Sequence, residues 1–130
     1  MFRYITVGIN DLERAIRFYD AVLGALGIER RNTSDHEAGY ARPSDAQCQF
    51  WINRPFDREA ATVGNGSMPA FAAQDQAAVR DFHAAGLAHG GRDDGAPGLR
   101  PYGPVFYACY LRDPDGNKLS AVFEDPKASG

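Results

Sequence analysis

Tyr4–Gly27 reads YITVGINDLERAIRFYDAVLGALG, and Met68–Gly91 reads MPAFAAQDQAAVRDFHAAGLAHGG. Laid one over the other without a gap, at an offset of 64, they put Asp11 on Asp75, Phe18 on Phe82, Ala21 on Ala85, Leu23 on Leu87 and Gly27 on Gly91. Self-similarity at a fixed spacing means that one structural unit is used twice. Each copy opens as a strand. Ile5, Val7 and Ile9 alternate with Tyr4, Thr6 and Gly8, the period of a half-buried strand. Phe71 and Ala73 do the same in the second copy, and Pro69, which has no amide to donate, marks where that strand begins. A helix follows in each. Asn10 and Asp11 are capping residues, with Glu13 placed to complete a capping box from Asn10. Leu12, Ile16, Tyr19 and Leu23 recur at helical spacing, Phe18 and Val22 widen the apolar stripe, and Gly24 and Gly27 stop it. Asp75 caps the second helix, which carries Val79, Phe82 and Leu87 and ends at Gly90-Gly91.

Outward from the helices the chain turns to strands. In the first half these are Glu29–Asn32, Ala38–Arg42 and Gln47–Asn53. In the second they are Val105–Leu111 and Lys118–Glu124, joined by the turn Asp113-Pro114-Asp115-Gly116-Asn117, with a weaker strand around His89–Arg92. The order is βαβββ, twice, which predicts an α+β fold. We expect one domain over residues 1–130, with module one about 1–56 and module two about 67–125. Arg54–Gly66 links the halves. Arg92–Pro104, rich in Gly, Pro and Arg, reads as a long loop of the kind that often closes a site.

Composition excludes several classes. Of 130 residues, 44% are hydrophobic and 24% charged, a globular balance. A formal net charge of −3 argues against nucleic acid as a partner, since phosphate-backbone binding needs a basic excess. The longest apolar stretches, Ala21–Ile28 and Val105–Leu111, fall far short of the roughly 20 residues that span a bilayer, so no membrane partner is expected. The N-terminus leads straight into a patterned strand without a signal-peptide layout. Cys48 and Cys109, each in an apolar run, read as buried thiols of a cytoplasmic protein.

The combination of Asp11-Leu12, Phe18-Tyr19 and Leu23-Gly24 with Phe82-His83, Gly90-Gly91, the Gly95–Pro101 loop and Asp113–Asn117 resembles the vicinal oxygen chelate superfamily. This group includes glyoxalase I, bleomycin-resistance proteins, fosfomycin-resistance enzymes and extradiol dioxygenases. The resemblance covers nearly the whole chain and implies paired βαβββ modules whose sheets curl into an open cup. In catalytic members a divalent metal sits in the cup, held by one His, Glu or Gln from each of four strands. The bleomycin-resistance members bind as dimers with pockets at the subunit interface. The fold hosts lyases, dioxygenases, transferases and binders alike, so it does not by itself name an activity.

Carried over by spacing from the two Asp caps and the last turn, three of the four ligand positions hold Tyr4, Met68 and Ser120. The fourth falls in Gln47–Asn53. Alternation there turns Cys48, Phe50 and Ile52 toward the helix and Gln49, Trp51 and Asn53 toward the cup, which makes Gln49 the candidate. Phenol, thioether and hydroxyl are poor ligands for zinc, nickel or manganese, so no metal and no other cofactor is expected. His36, His83 and His89 read as solvated or capping side chains.

The cup lining is then Tyr4, Thr6, Gln49, Trp51, Met68, Ala70 and Ser120, with Tyr110 as a further candidate. Arg100 and Tyr102 stand in the loop where they could clamp a carboxylate or phosphate. Two functions remain open. One is a metal-free homodimeric binder of a small apolar or aromatic molecule. The other is a divergent metal-dependent glyoxalase-like lyase or dioxygenase.

Overall fold

Two helices form where the repeat places them, α1 at Leu12–Gly24 and α2 at Gln76–Ala88, 64 residues apart at both ends. Both start on an aspartate. The Asp11 carboxylate accepts from the Arg14 amide at 3.1 Å, and the Asp75 carboxylate from the Ala78 amide at 2.8 Å. Both also end alike. The Ile28 amide returns to the Leu23 carbonyl at 3.0 Å and the Gly91 amide to the Gly86 carbonyl at 2.8 Å. The expected capping box does not form. Asn10 lies outside the helix and its side-chain oxygen accepts from the Ala61 amide at 2.7 Å, tying down the linker instead.

The computed structural model describes residues 1–125, so residues 126–130 of the expected domain lie outside it. Its strands are β1 (Ile5–Gly8), β2 (Glu29–Thr33), β3 (Glu37–Ala41), β4 (Phe50–Asn53), β5 (Ala70–Ala72), β6 (Arg92–Leu99), β7 (Phe106–Arg112) and β8 (Lys118–Glu124). They form two four-stranded mixed sheets ordered β1-β4-β3-β2 and β5-β8-β7-β6, the same topology twice. In each, the first strand runs parallel to the last and the other pairs are antiparallel.

Strands β2, β3 and β7 shift by one residue from expectation, and two others depart further. Most of the segment read as a loop is β6, an edge strand whose pairing with β7 slips between Asp93 and Gly95 and again between Gly95 and Gly98. Bulges at an edge are where a sheet tolerates Gly and Pro, so these residues did not break the strand. In the other direction, β4 starts at Phe50 and not at Gln47.

Each helix covers one face of its sheet, and the two helices pack on each other. The result is one core. Phe18, Tyr19, Val22 and Leu23 of α1, Val79 and Phe82 of α2, Phe50 and Ile52 of β4, and Leu111 and Leu119 of the second sheet belong to it. Aromatic rings run through it from end to end: Phe18 to Tyr19 at 5.0 Å, Tyr19 to Phe50 at 5.3 Å, Phe50 to Phe71 at 5.0 Å, and Phe71 to Phe82 at 6.3 Å. Burying one such side chain contributes roughly 1.5–3 kcal/mol. No helix among the described residues is long and apolar enough to cross a membrane.

The turn before β8 fastens module two to module one. Asp113 is buried, and its carboxylate accepts from the Tyr19 hydroxyl at 2.5 Å, the Asn117 side chain at 2.9 Å, and the Asp115 and Asn117 amides at 2.9 Å each. The Asn117 side chain also donates to the Gly8 carbonyl at 2.8 Å. Asp115 accepts from the Asn10 amide at 3.1 Å and pairs with Arg14 at 2.9 Å. The Phe-Tyr and Asp-Pro-Asp-Gly-Asn motifs are thus two halves of one latch. Burial pushes the Asp113 carboxyl above its ordinary range, and burial together with that carboxylate pushes the Tyr19 phenol well above 10.0.

Candidate functional site

With one face of each sheet committed to the core, the opposite faces are open. Each holds a hollow. Hollow one, about 540 Å³, is lined by Tyr4, Thr6, Trp51 and Asn53 together with Arg3, Arg31, Glu37, Gln47 and Cys48. Hollow two, about 600 Å³, is lined by Met68, Ala70, Tyr102, Phe106, Tyr110, Ser120 and Val122, with Arg100, Lys118 and Asp94 as its charged groups. The single cup that the resemblance implies is therefore divided within one chain. The modules join through their core faces, by α1 against α2 and Phe50 against Phe71, which leaves each open face on its own.

In each hollow a large aromatic lies over a glycine of the neighbouring strand. A Cβ on Gly39 would stand 2.8 Å from the Trp51 ring and 2.9 Å from the Cys48 sulfur. A Cβ on Gly95 would stand 2.6 Å from the Tyr110 ring. Glycine at these two positions gives the indole and the phenol room against the neighbouring strand. Tyr110, the further candidate for the lining, pairs with Ser120 across β7 and β8 and shares its face.

Ser120 is fully buried at the floor of hollow two, and its hydroxyl finds no hydrogen-bond partner among the described residues. Above it, the Arg100 guanidinium and the Lys118 ammonium stand 5.4 and 5.3 Å from the Tyr110 ring centroid. Lys118 had been detectable from its parity with Ser120 on β8. Arg3, Arg31 and Glu37 gave no local signal, because only the sheet brings them beside Trp51.

Two residues in the first half sit differently from expectation. Cys48 is only partly buried and lines hollow one, while Gln49 is exposed and does not line it. Both precede β4, where strict alternation does not apply. Gln49 serves through its backbone, donating to the Tyr40 carbonyl and accepting from the Ile5 amide, each at 3.0 Å. Cys109 is buried as expected, and burial pushes its thiol up to about 11.

A family model for the glyoxalase/bleomycin resistance protein/dioxygenase superfamily matches residues 2–120. The chain belongs to this superfamily. A crystal structure of a superfamily protein from Albidiferax ferrireducens is 42% identical and has a TM-score of 0.85, covering 95% of this chain and 98% of that one. Lactoylglutathione lyase from Agrobacterium tumefaciens shares the fold at 19% identity and a TM-score of 0.65, over 100% of this chain and 96% of its own. An uncharacterised Pseudomonas aeruginosa protein is 30% identical over 98% of this chain and 91% of its own length.

The superfamily's metal can be tested against the residues present. Tyr4 lies in hollow one, Met68 and Ser120 in hollow two, and Gln49 in neither. A phenol, a thioether and a neutral hydroxyl do not make a site for a divalent ion, and these three do not converge within one chain. Among the described residues no group of three or more His, Cys, Asp or Glu side chains comes together. The histidines are placed elsewhere. His36 is exposed, and His89 caps its own helix through the Ala85 carbonyl at 2.8 Å. His83 is not solvated as expected. It is buried and its Nε2 lies 2.8 Å from the Asp93 carboxylate, a partner on β6, the strand hidden in the supposed loop. That hydrogen bond, with a second from the Gly95 amide, holds the Asp93 carboxyl below its usual range.

Proposed function

We propose that this superfamily member is a metal-free binding protein for a small, partly aromatic molecule, acting as a homodimer in which hollow one of one copy meets hollow two of the other. The observation that carries the proposal is the pair of open half-sites on separate sheet faces. Each has an aromatic platform, and neither is deep enough alone to enclose a ligand on all sides. Small-molecule sites combine apolar walls with placed polar groups, and the two hollows divide these between them: Met68, Phe106, Tyr110 and Val122 in hollow two, and Trp51 among mostly polar side chains in hollow one. The edges support pairing. β1 and β5 are edge strands, and Tyr4, Ile5 and Met68 on or beside them are exposed apolar side chains. The two free cysteines suit a reducing cytoplasm.

Trp51 is the only tryptophan, so its emission reports hollow one alone. Titration with a panel of aromatic metabolites, followed by Trp51 emission and by the melting temperature, should find compounds that change both. Elemental analysis after dialysis tests the metal-free part. About one metal ion per chain, lost on Tyr4→Ala or Met68→Ala, would overturn it and favour a metal-dependent lyase or dioxygenase.

A further inference from the structure

We infer that hollow two is an oxyanion subsite, which selects small aromatic molecules bearing a carboxylate or phosphate and holds that group with Arg100, Lys118 and the Ser120 hydroxyl. This rests on the proposal that the hollows bind ligand, and it deepens that proposal by naming the ligand's charge.

Three independent features of the hollow point the same way. The first is unbalanced charge. The chain as a whole carries −3, yet hollow two holds two cations against one carboxylate, Asp94. That carboxylate is already engaged by Arg112 at 3.0 Å and lies 3.6 Å from the Lys118 nitrogen. The second is the state of the Arg100 donors. Its two terminal nitrogens are braced on carbonyls of its own loop, Ala96 at 2.5 Å and Leu99 at 3.3 Å. Each terminal nitrogen carries two hydrogens, so bracing uses one of each and leaves the rest, with Nε, available for an oxyanion. A braced guanidinium loses little freedom on binding. The third is Ser120. A buried hydroxyl without a partner is an unfavourable arrangement that a sheet residue such as Ala would avoid. It is resolved when a ligand oxygen accepts from it. The Tyr110 ring lies under both cations and keeps them in the hollow, while Met68, Phe106 and Val122 supply apolar wall for the rest of the ligand.

The test uses the intact protein with matched probes: benzoate and phenyl phosphate as anions, benzamide as the neutral isostere and benzylamine as the cation. Binding is read by calorimetry and by the melting temperature at low salt. At least one anion should bind tenfold or more tightly than benzamide, with benzylamine weakest, and the preference should shrink in high salt. Arg100→Gln should cost the anion about tenfold while leaving benzamide unchanged. Ser120→Ala should weaken the anion and leave the melting temperature equal or higher, which a purely structural serine would not do. Binding of both benzoate and phenyl phosphate no tighter than that of benzamide, or an anion preference untouched by Arg100→Gln, would overturn the inference while leaving the binding-protein proposal intact. Failure of all four probes would count against both. An anion preference that persists in a monomer would support the oxyanion subsite and contradict only the two-copy arrangement.

Discussion

Replacing Tyr19 with Phe removes one hydroxyl and almost nothing else. The ring keeps its neighbours Phe18 at 5.0 Å and Phe50 at 5.3 Å, so packing is conserved. What is lost is the 2.5 Å bond to Asp113, between groups that are 0% and 1% exposed. A hydrogen bond to a charged group is worth about 1.5–3 kcal/mol, and water cannot replace this one without opening the core. For a domain of this size about 4 °C accompanies each kcal/mol, so the melting temperature should fall by roughly 6–12 °C. The loss should also depend on pH. Burial raises the Asp113 carboxyl above its ordinary value of 3.8, and the Tyr19 bond is one of the interactions that opposes that rise. A raised carboxyl binds its proton more tightly in the folded state, so its ionisation costs stability as pH rises through the window above 3.8. Without the Tyr19 hydroxyl that window widens. The difference between wild type and Tyr19→Phe should be largest at pH 7 and shrink as pH falls toward 4. Urea and thermal unfolding at both pH values give the comparison. A fall of less than about 2 °C at pH 7, or an equal fall at both, would refute the latch between the two modules.

Other outcomes follow from the same structure. Cys109 is held up to about 11 and Tyr19 well above 10.0, both chiefly by burial, so the unfolded chain gives up these protons first. Stability should therefore decline as pH climbs above 9, by several degrees of melting temperature at roughly pH 10.5, and Cys109→Ala should flatten the first part of that decline. Gly39→Ala should force the Trp51 ring off the sheet, since its Cβ would lie 2.8 Å from the indole. A shifted Trp51 emission and a lower melting temperature would register it, and an unchanged spectrum would contradict the geometry. Trp51→Ala should abolish aromatic binding with little loss of stability, because the ring lines hollow one and is not part of the core, as calorimetry and thermal unfolding would show.

How much of this was legible in the sequence depends on how local the physics is. The helices were readable to within a few residues, their starts at Asp11 and Asp75 more closely than their ends, because caps and a 3.6-residue apolar period act over a few turns. β8 was readable because the Asp113–Asn117 turn sets its start. β6 was hidden, since Gly95, Pro97 and Gly98 look like loop punctuation until a neighbouring strand shows them to be edge bulges. His83 was misread for the same reason, as its partner Asp93 lies on that strand. Gln49 and Cys48 exchanged roles because alternation was extended three residues before β4 begins. Tyr4, Thr6 and Trp51 line hollow one, and Met68 and Ser120 line hollow two. That they divide between two hollows could not be read locally, because it depends on which faces of the modules the core consumes.

The two-copy site is tested most directly by complementation between two crippled chains. Trp51→Ala disables hollow one, and the Arg100→Gln, Ser120→Ala double variant disables hollow two. Each is purified separately, then the two are mixed, allowed to exchange and titrated by calorimetry with the best anion. If hollow one of one copy meets hollow two of the other, random pairing makes half the dimers mixed, each with one intact site, so mixing should restore about a quarter of wild-type binding capacity. No recovery on mixing, with light scattering giving the mass of a single chain, would contradict the account.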